Sequence, residues 1–253
     1  MEEEHAPERM PDGHPDPRPA LTRRTVITGA AGIVALAAVG VGAFRLLQPA
    51  GPGKLVPSLI AAKSFYVAHH GGSADWPEMS MEAYRNSVAR GVDALEISLA
   101  RTSDGVWFGL HDKTLDRTSG TSGFIASEHS WNEVRQHKIA YPQTARQGGA
   151  AQPYARVEEL IDAFGGSHTI FIDPKWVPRT HYGELLTIME RHAEKPTQTF
   201  VAKSYCTGLA WSAVKAFHKP VIGHVIPNRK AARVALSKGA SGLMVSGVLE
   251  VLE

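Results

Sequence analysis

"YVAHHGGSADWPEMSMEAYRNSVARGVDALEIS", residues 66–98, decides the fold. It opens on an apolar run that turns polar at two histidines and two glycines, the pattern of a buried strand with its chemistry at the end. Residues 80–91 then begin on Ser80, carry Glu82 in the first turn and stop at Gly91. That order is an N-cap, an acid set against the helix dipole, and the glycine that ends a helix. Residues 92–98, "VDALEIS", form a second strand. Side chains alternate along a strand, so Glu96 and Ser98 share one face and Asp93 takes the other.

The alternation continues outward from this unit. Strands are expected at residues 105–111, 168–173, 199–204, 221–226 and 242–246, and helices at 156–165, 181–193, 208–218 and 229–239. Residues 112–130 are loop-like, and the Gln/Gly/Ala-rich stretch 141–155 is a surface excursion. Strands alternating with helices imply a parallel sheet covered by helices. Four strand ends carry chemically capable groups: His69, Ser98 beside Glu96, His111 and Asp173. The fold class is therefore α/β, a TIM (β/α)8-like barrel short by one βα unit. An open doubly wound sheet also places groups at strand ends, but "HHGGSADW" lacks a phosphate-binding glycine fingerprint directly before a helix.

A hydrophobic content of 43% is enough for a large core. With 27 Lys and Arg against 25 Asp and Glu there is no clustered basic surplus, which argues against a nucleic-acid partner. The lone Cys206 rules out an internal disulfide framework and reads as packing. Residues 1–20 are polar and proline-rich, a disordered tail. In residues 21–48, Arg23 and Arg24 precede an uncharged Ala/Gly/Val run that resembles a twin-arginine export signal and is also long enough to serve as a membrane anchor. Residues 49–63 read as a linker and residues 64–253 as the barrel domain. The expected location is extracellular, or anchored on the outer side, with membrane contact through the N-terminal segment if it is not cleaved.

The ordered set "AHHGG…WPEMSMEAYRNSVARGVDALEIS…DGVWFGLHDKTLDRTSG…FIDPKW" resembles the glycerophosphodiester phosphodiesterase family. That family's motifs run HRG, PENT, an acid-rich strand with Glu-x-Asp, a strand ending in HD, then L-D-R-T and E-x-K. The resemblance implies a TIM barrel that hydrolyses glycerophosphodiesters with two histidines and one divalent cation, Mg2+ or Ca2+. His69 and His111 match the two catalytic histidines; imidazoles titrating near neutrality can supply both the proton acceptor and the proton donor. Glu96, Asp173 and Ser98 match the metal positions, and a hard cation prefers carboxylate oxygens. Ser98 stands where the family has Asp, and Asp173 where it has Glu, so metal affinity is expected to fall. Glu96 has a bland alternative, an ion pair with Lys175.

His70, Glu78 and Lys175 match substrate-binding positions, with His70 in place of the family's arginine and Met79 in place of an asparagine. Arg117 matches as well, with fixing its own loop as the alternative role. Trp76 and Trp107 can wall a choline-like head group or pack in the core, and His224 and Asn228 sit at a strand end that can face the site. The first functional reading is glycerophosphodiester hydrolysis. A second is phospholipase D-like action on lysophospholipids, and a third is an impaired barrel that binds phosphorylated ligands.

Overall fold

The structure is a computed structural model that describes residues 53–203 and 221–253. The tail, the 21–48 segment, Cys206 and the helix expected at 208–218 lie outside the described residues. Among the described residues, no helix is long and apolar enough to cross a membrane.

Six parallel strands form one sheet: β1 (Phe65–Ala68), β2 (Ala94–Arg101), β6 (Thr169–Asp173), β7 (Phe200–Ala202), β8 (Ile222–Ile226) and β9 (Gly242–Val245). Their spatial order is β7-β6-β2-β1-β9-β8, so the first and last strands in sequence lie side by side at the centre. That adjacency is how a barrel closes, and the architecture is a partial TIM barrel. Two units of the expected alternation fit directly. Helix α2 (Met81–Ala89) is capped by the Ser80 hydroxyl, which accepts from the Ala83 amide, and leads into β2. Helix α8 (Arg229–Ser237) joins β8 to β9.

The period-two pattern separates two cores. Outward residues Leu95, Ile97, Ile170, Ile172, Leu243 and Val245 pack against the helices. Inward residues Phe65, Val67, Ala94, Phe171 and Met244 form a separate interior cluster at the floor. Each inward column turns polar towards the C-terminal end: Val67 leads to His69, Ala94 to Glu96 and Ser98, and Phe171 to Asp173. Gly242 makes room in this floor, since a Cβ there would meet the Phe65 ring at 2.4 Å.

Three expectations are corrected. The strand expected at 105–111 is β3 (Trp107–Gly109), which pairs antiparallel with β2. It is the return arm of a hairpin and no part of the parallel wall, because Asp104-Gly105 makes a tight turn with Gly105 at φ 89°. The stretch read as a linker is folded in its second half. Helix α1 (Val56–Ala61) buries Leu59 in the floor cluster, and the Lys54 carbonyl accepts from the Thr169 amide. Residues 112–130 are not wholly loop; they hold the short helix α3 (Asp116–Ser119).

Candidate active site

The turn after β1 explains its paired glycines. His70 (φ 49°), Gly71 (φ 74°) and Gly72 (φ 89°) are three consecutive left-handed residues. Glycine takes this region freely, and histidine is among the few other side chains enriched there. The bend aims the His70 amide at Glu96, donating to Oε2 at 2.9 Å. Met79, also left-handed at φ 57°, donates its amide to the His70 carbonyl at 2.8 Å and packs over Gly109. Asparagine suits that conformation intrinsically; here the packing over Gly109 holds a methionine in it.

The histidines form a row. The rings of His69 and His70 stack with centroids 3.9 Å apart, and the His70 and His111 rings lie at 5.1 Å. His224 meets His69 edge-on at 4.9 Å, so β8 does bring a residue to the site. Asn228 does not function there: it caps α8, its side chain accepting from the Ala231 amide. Burial, reinforced by neighbouring His70, pulls His69 down to about 2, and its buried Nδ1 has no hydrogen-bond partner among the described residues. Burial likewise lowers His70.

Although Leu110 continues the hairpin by donating to the Ser98 carbonyl, His111 is carried on that arm and not on the barrel wall. Its Nδ1 lies 2.8 Å from Asp112 Oδ1. Asp112 Oδ2 accepts from Arg117 Nε at 2.6 Å, and the other two guanidinium nitrogens bind both oxygens of Glu78 at 2.8 Å. Arg117 thus fixes the loop, and Glu78 is its anchor.

Glu96 lies fully buried at the centre. Burial opposes its ionisation, yet the groups around it, the His70 amide and the Lys203 ammonium among them, hold its carboxyl down at about 2. The pairing expected with Lys175 is made instead by Lys203, whose Nζ is 2.7 Å from Glu96 Oε1. Lys175 pairs with Asp173 at 3.1 Å, and Lys203 is also 3.4 Å from Asp173. Ser98 Oγ lies 3.2 Å from His70 Nε2 and 3.4 Å from Glu96 Oε1. Asp93 is at the opposite end of the strand, binding the Tyr66 amide and Lys54. Trp107 and Trp76 are core residues, and the choline-wall reading of both is set aside.

Two residues escaped the sequence reading. Lys203 ends a strand, and that position is itself a signal of function. Trp176, exposed and following the Asp-Pro-Lys turn, donates Nε1 to the His111 carbonyl at 3.0 Å, with Lys113 over its ring.

His69, His70 and Glu96 bring ligand atoms within 4.8 Å of one another, a group able to hold a metal ion. For Mg2+ or Ca2+ the fit is poor. Such ions take six or more oxygen ligands, whereas two of these three donors are imidazoles. Ser98 brings no charge, and the Glu96 and Asp173 carboxylates are ion-paired to lysines.

The glycerophosphoryl diester phosphodiesterase family profile matches residues 69–192. A glycerophosphodiester phosphodiesterase of Bacillus subtilis is 28% identical over 149 residues, 53% of this chain and 50% of its own length. The mouse glycerophosphodiester phosphodiesterase 1 is 32% identical over 110 residues, 43% of this chain and 33% of its own. The chain thus spans half or less of the length of these curated relatives. Among solved structures, a glycerophosphoryl diester phosphodiesterase from Parabacteroides distasonis superposes with TM-score 0.60 at 19% identity, covering 79% of this chain and 93% of that one. An Oleispira antarctica phosphodiesterase in complex with the product sn-glycerol-3-phosphate gives TM-score 0.60 at 14% identity, covering 78% and 97%. These two establish the fold. Through residues 69–192, the chain belongs to the glycerophosphoryl diester phosphodiesterase family.

Proposed function

We propose that this chain is a phosphoric diester hydrolase that cleaves glycerophosphodiesters to an alcohol and glycerol phosphate, with His69 and His111 moving the protons. The carrying observation is the ring row His69–His70–His111 above Glu96 at the C-terminal end of the barrel. Burial leaves the His69 ring unprotonated and so able to accept a proton, at the cost of basicity, since about 2 lies far below the near-neutral value that favours a general base. His111 is held through Nδ1 by the Asp112 carboxylate, which leaves Nε2 to serve as the proton donor. In the step, an attacking water loses a proton to His69 as its oxygen bonds phosphorus. The bond from phosphorus to the leaving oxygen breaks, and that oxygen takes the proton of His111. Lys175 offers its ammonium to the phosphoryl oxygens, and His70 lines the same pocket.

Mg2+ or Ca2+, implied by the family resemblance, is given no step because the donors present fit it poorly. The test is hydrolysis of glycerophosphocholine by the full chain beside His69→Ala and His111→Ala. Turnover lost by about 10²-fold or more in both variants is the expected result; equal turnover in all three proteins would overturn the reading.

For location we propose export, supported by the Arg23–Arg24 pair and the apolar run that follows. Recovery of the enzyme outside the cytoplasm, abolished by Arg23→Lys with Arg24→Lys, is the expected outcome; unchanged recovery would refute it.

A further inference from the structure

Two carboxylates converge inside the barrel end. Ser98 and Asp173 are register partners on adjacent strands, and Glu96 sits one inward position below Ser98. Glu96 is wholly buried and Asp173 nearly so. Two anions in such a place need a cation. The next strand supplies one. The Lys203 amide donates to the Ile172 carbonyl at 3.0 Å, continuing the β6–β7 pairing, and sets the side chain on the same inner face as Val201. Its side chain, only 7% exposed, brings the ammonium to both acids, at 2.7 Å to Glu96 and 3.4 Å to Asp173.

We propose that Lys203 is the resident cation of this pocket, bridging Glu96 and Asp173 in place of a hard divalent ion, so that the protein neither binds nor needs Mg2+ or Ca2+ there. Charge and donor chemistry both support this. Glu96 and Asp173 are each ion-paired to a lysine, Glu96 to Lys203 and Asp173 to Lys175 and Lys203. A further double positive charge would meet two ammonium groups in a poorly screened interior. Glu96 Oε2 is already engaged by the His70 amide, and Ser98 adds only a hydroxyl. This claim about metal does not rest on the phosphodiesterase reading.

The test uses the full chain, dialysed against EDTA, titrated calorimetrically with MgCl2 and with CaCl2 and melted with and without each salt. For the wild type we expect no saturable binding at millimolar salt and a Tm change under about 1 °C. Lys203→Met leaves two buried carboxylates without this ammonium, and there either salt is expected to bind and to raise Tm by several degrees. Lys203→Arg keeps the charge and should behave as the wild type. Glycerophosphocholine turnover by the wild type should change less than twofold between EDTA and added Mg2+. Saturable Mg2+ or Ca2+ binding by the wild type would overturn the proposal, as would a folded Lys203→Met that gains no binding. If Lys203→Met does not fold, the wild-type titration decides alone. Absence of any turnover would count against the hydrolase reading and leave the titrations intact.

Discussion

His111 holds its Nδ1 2.8 Å from Oδ1 of Asp112, the residue that follows it in the chain. The contact fixes which ring nitrogen faces the pocket. Replacing Asp112 by Asn keeps the shape and removes the charge. The expected outcome is a kcat lowered by about ten- to a hundredfold with KM little changed. Unchanged kcat would remove His111 from the role of proton donor.

Arg117 binds Asp112 and, with two parallel contacts, Glu78. Its side chain is half exposed, so the network contributes little to stability: Arg117→Lys should lower Tm by no more than about 2–4 °C, the equivalent of ~1 kcal/mol in a protein of this size. Lysine cannot reproduce the fork, however, and kcat should fall more than this small destabilisation implies. Parallel melting and kinetics check the separation; an active Arg117→Lys would mean that the brace is dispensable.

Acid should unfold this protein early. Burial, helped by adjacent charges, brings His69 to about 2 and His224 to about 4, both below their ordinary value. Below about pH 6.5 the unfolded chain binds protons at these rings that the folded chain refuses, so stability is complete above that pH and declines beneath it. Glu96 adds to the loss: its folded value of about 2 lies below the unfolded value near ~4.3, so its contribution fades as pH drops from there towards 2. Tm measured from pH 7.5 to 4.5 (about three units, enough to titrate free histidine) should fall steadily. A flat profile would show that these rings titrate in the folded state.

The floor of the barrel depends on α1. Leu59 is 2% exposed among Phe65, Val67, Ala94, Phe171 and Met244. Leu59→Ala should cost about 2–5 kcal/mol in urea unfolding, by lost burial plus the cavity left behind. Ser80→Ala, which removes the cap of α2, should cost only about 1 kcal/mol. Equal costs for the two would mean that the floor relaxes around the missing side chain.

What could be read in advance followed from local chemistry. Ser80, Glu82 and Gly91 mark α2 from its own ends inward, and the spacing of Glu96 and Ser98 places both on one face whatever surrounds them. Lys203 was missed as the partner of Glu96 because their contact spans 107 positions and depends on β6 lying between β2 and β7, an order no local pattern encodes. The direction of β3 was open to reading in Asp104-Gly105, a hairpin signal outweighed by the regular strand–helix alternation around it. Helix α1 was hidden because six residues containing a proline carry too little periodicity to stand out from a linker.

That reversed strand has a mechanical consequence. His69 rides on the rigid wall, while His111 rides on an arm whose tilt is set by a two-strand ribbon and an arginine clasp. The span between the two proton-handling groups is therefore adjustable without altering the barrel's radius. Lengthening or shortening the ribbon at Asp104-Gly105 would work as a calliper, retuning the gap to diesters of different girth while the chassis beneath stays as it is.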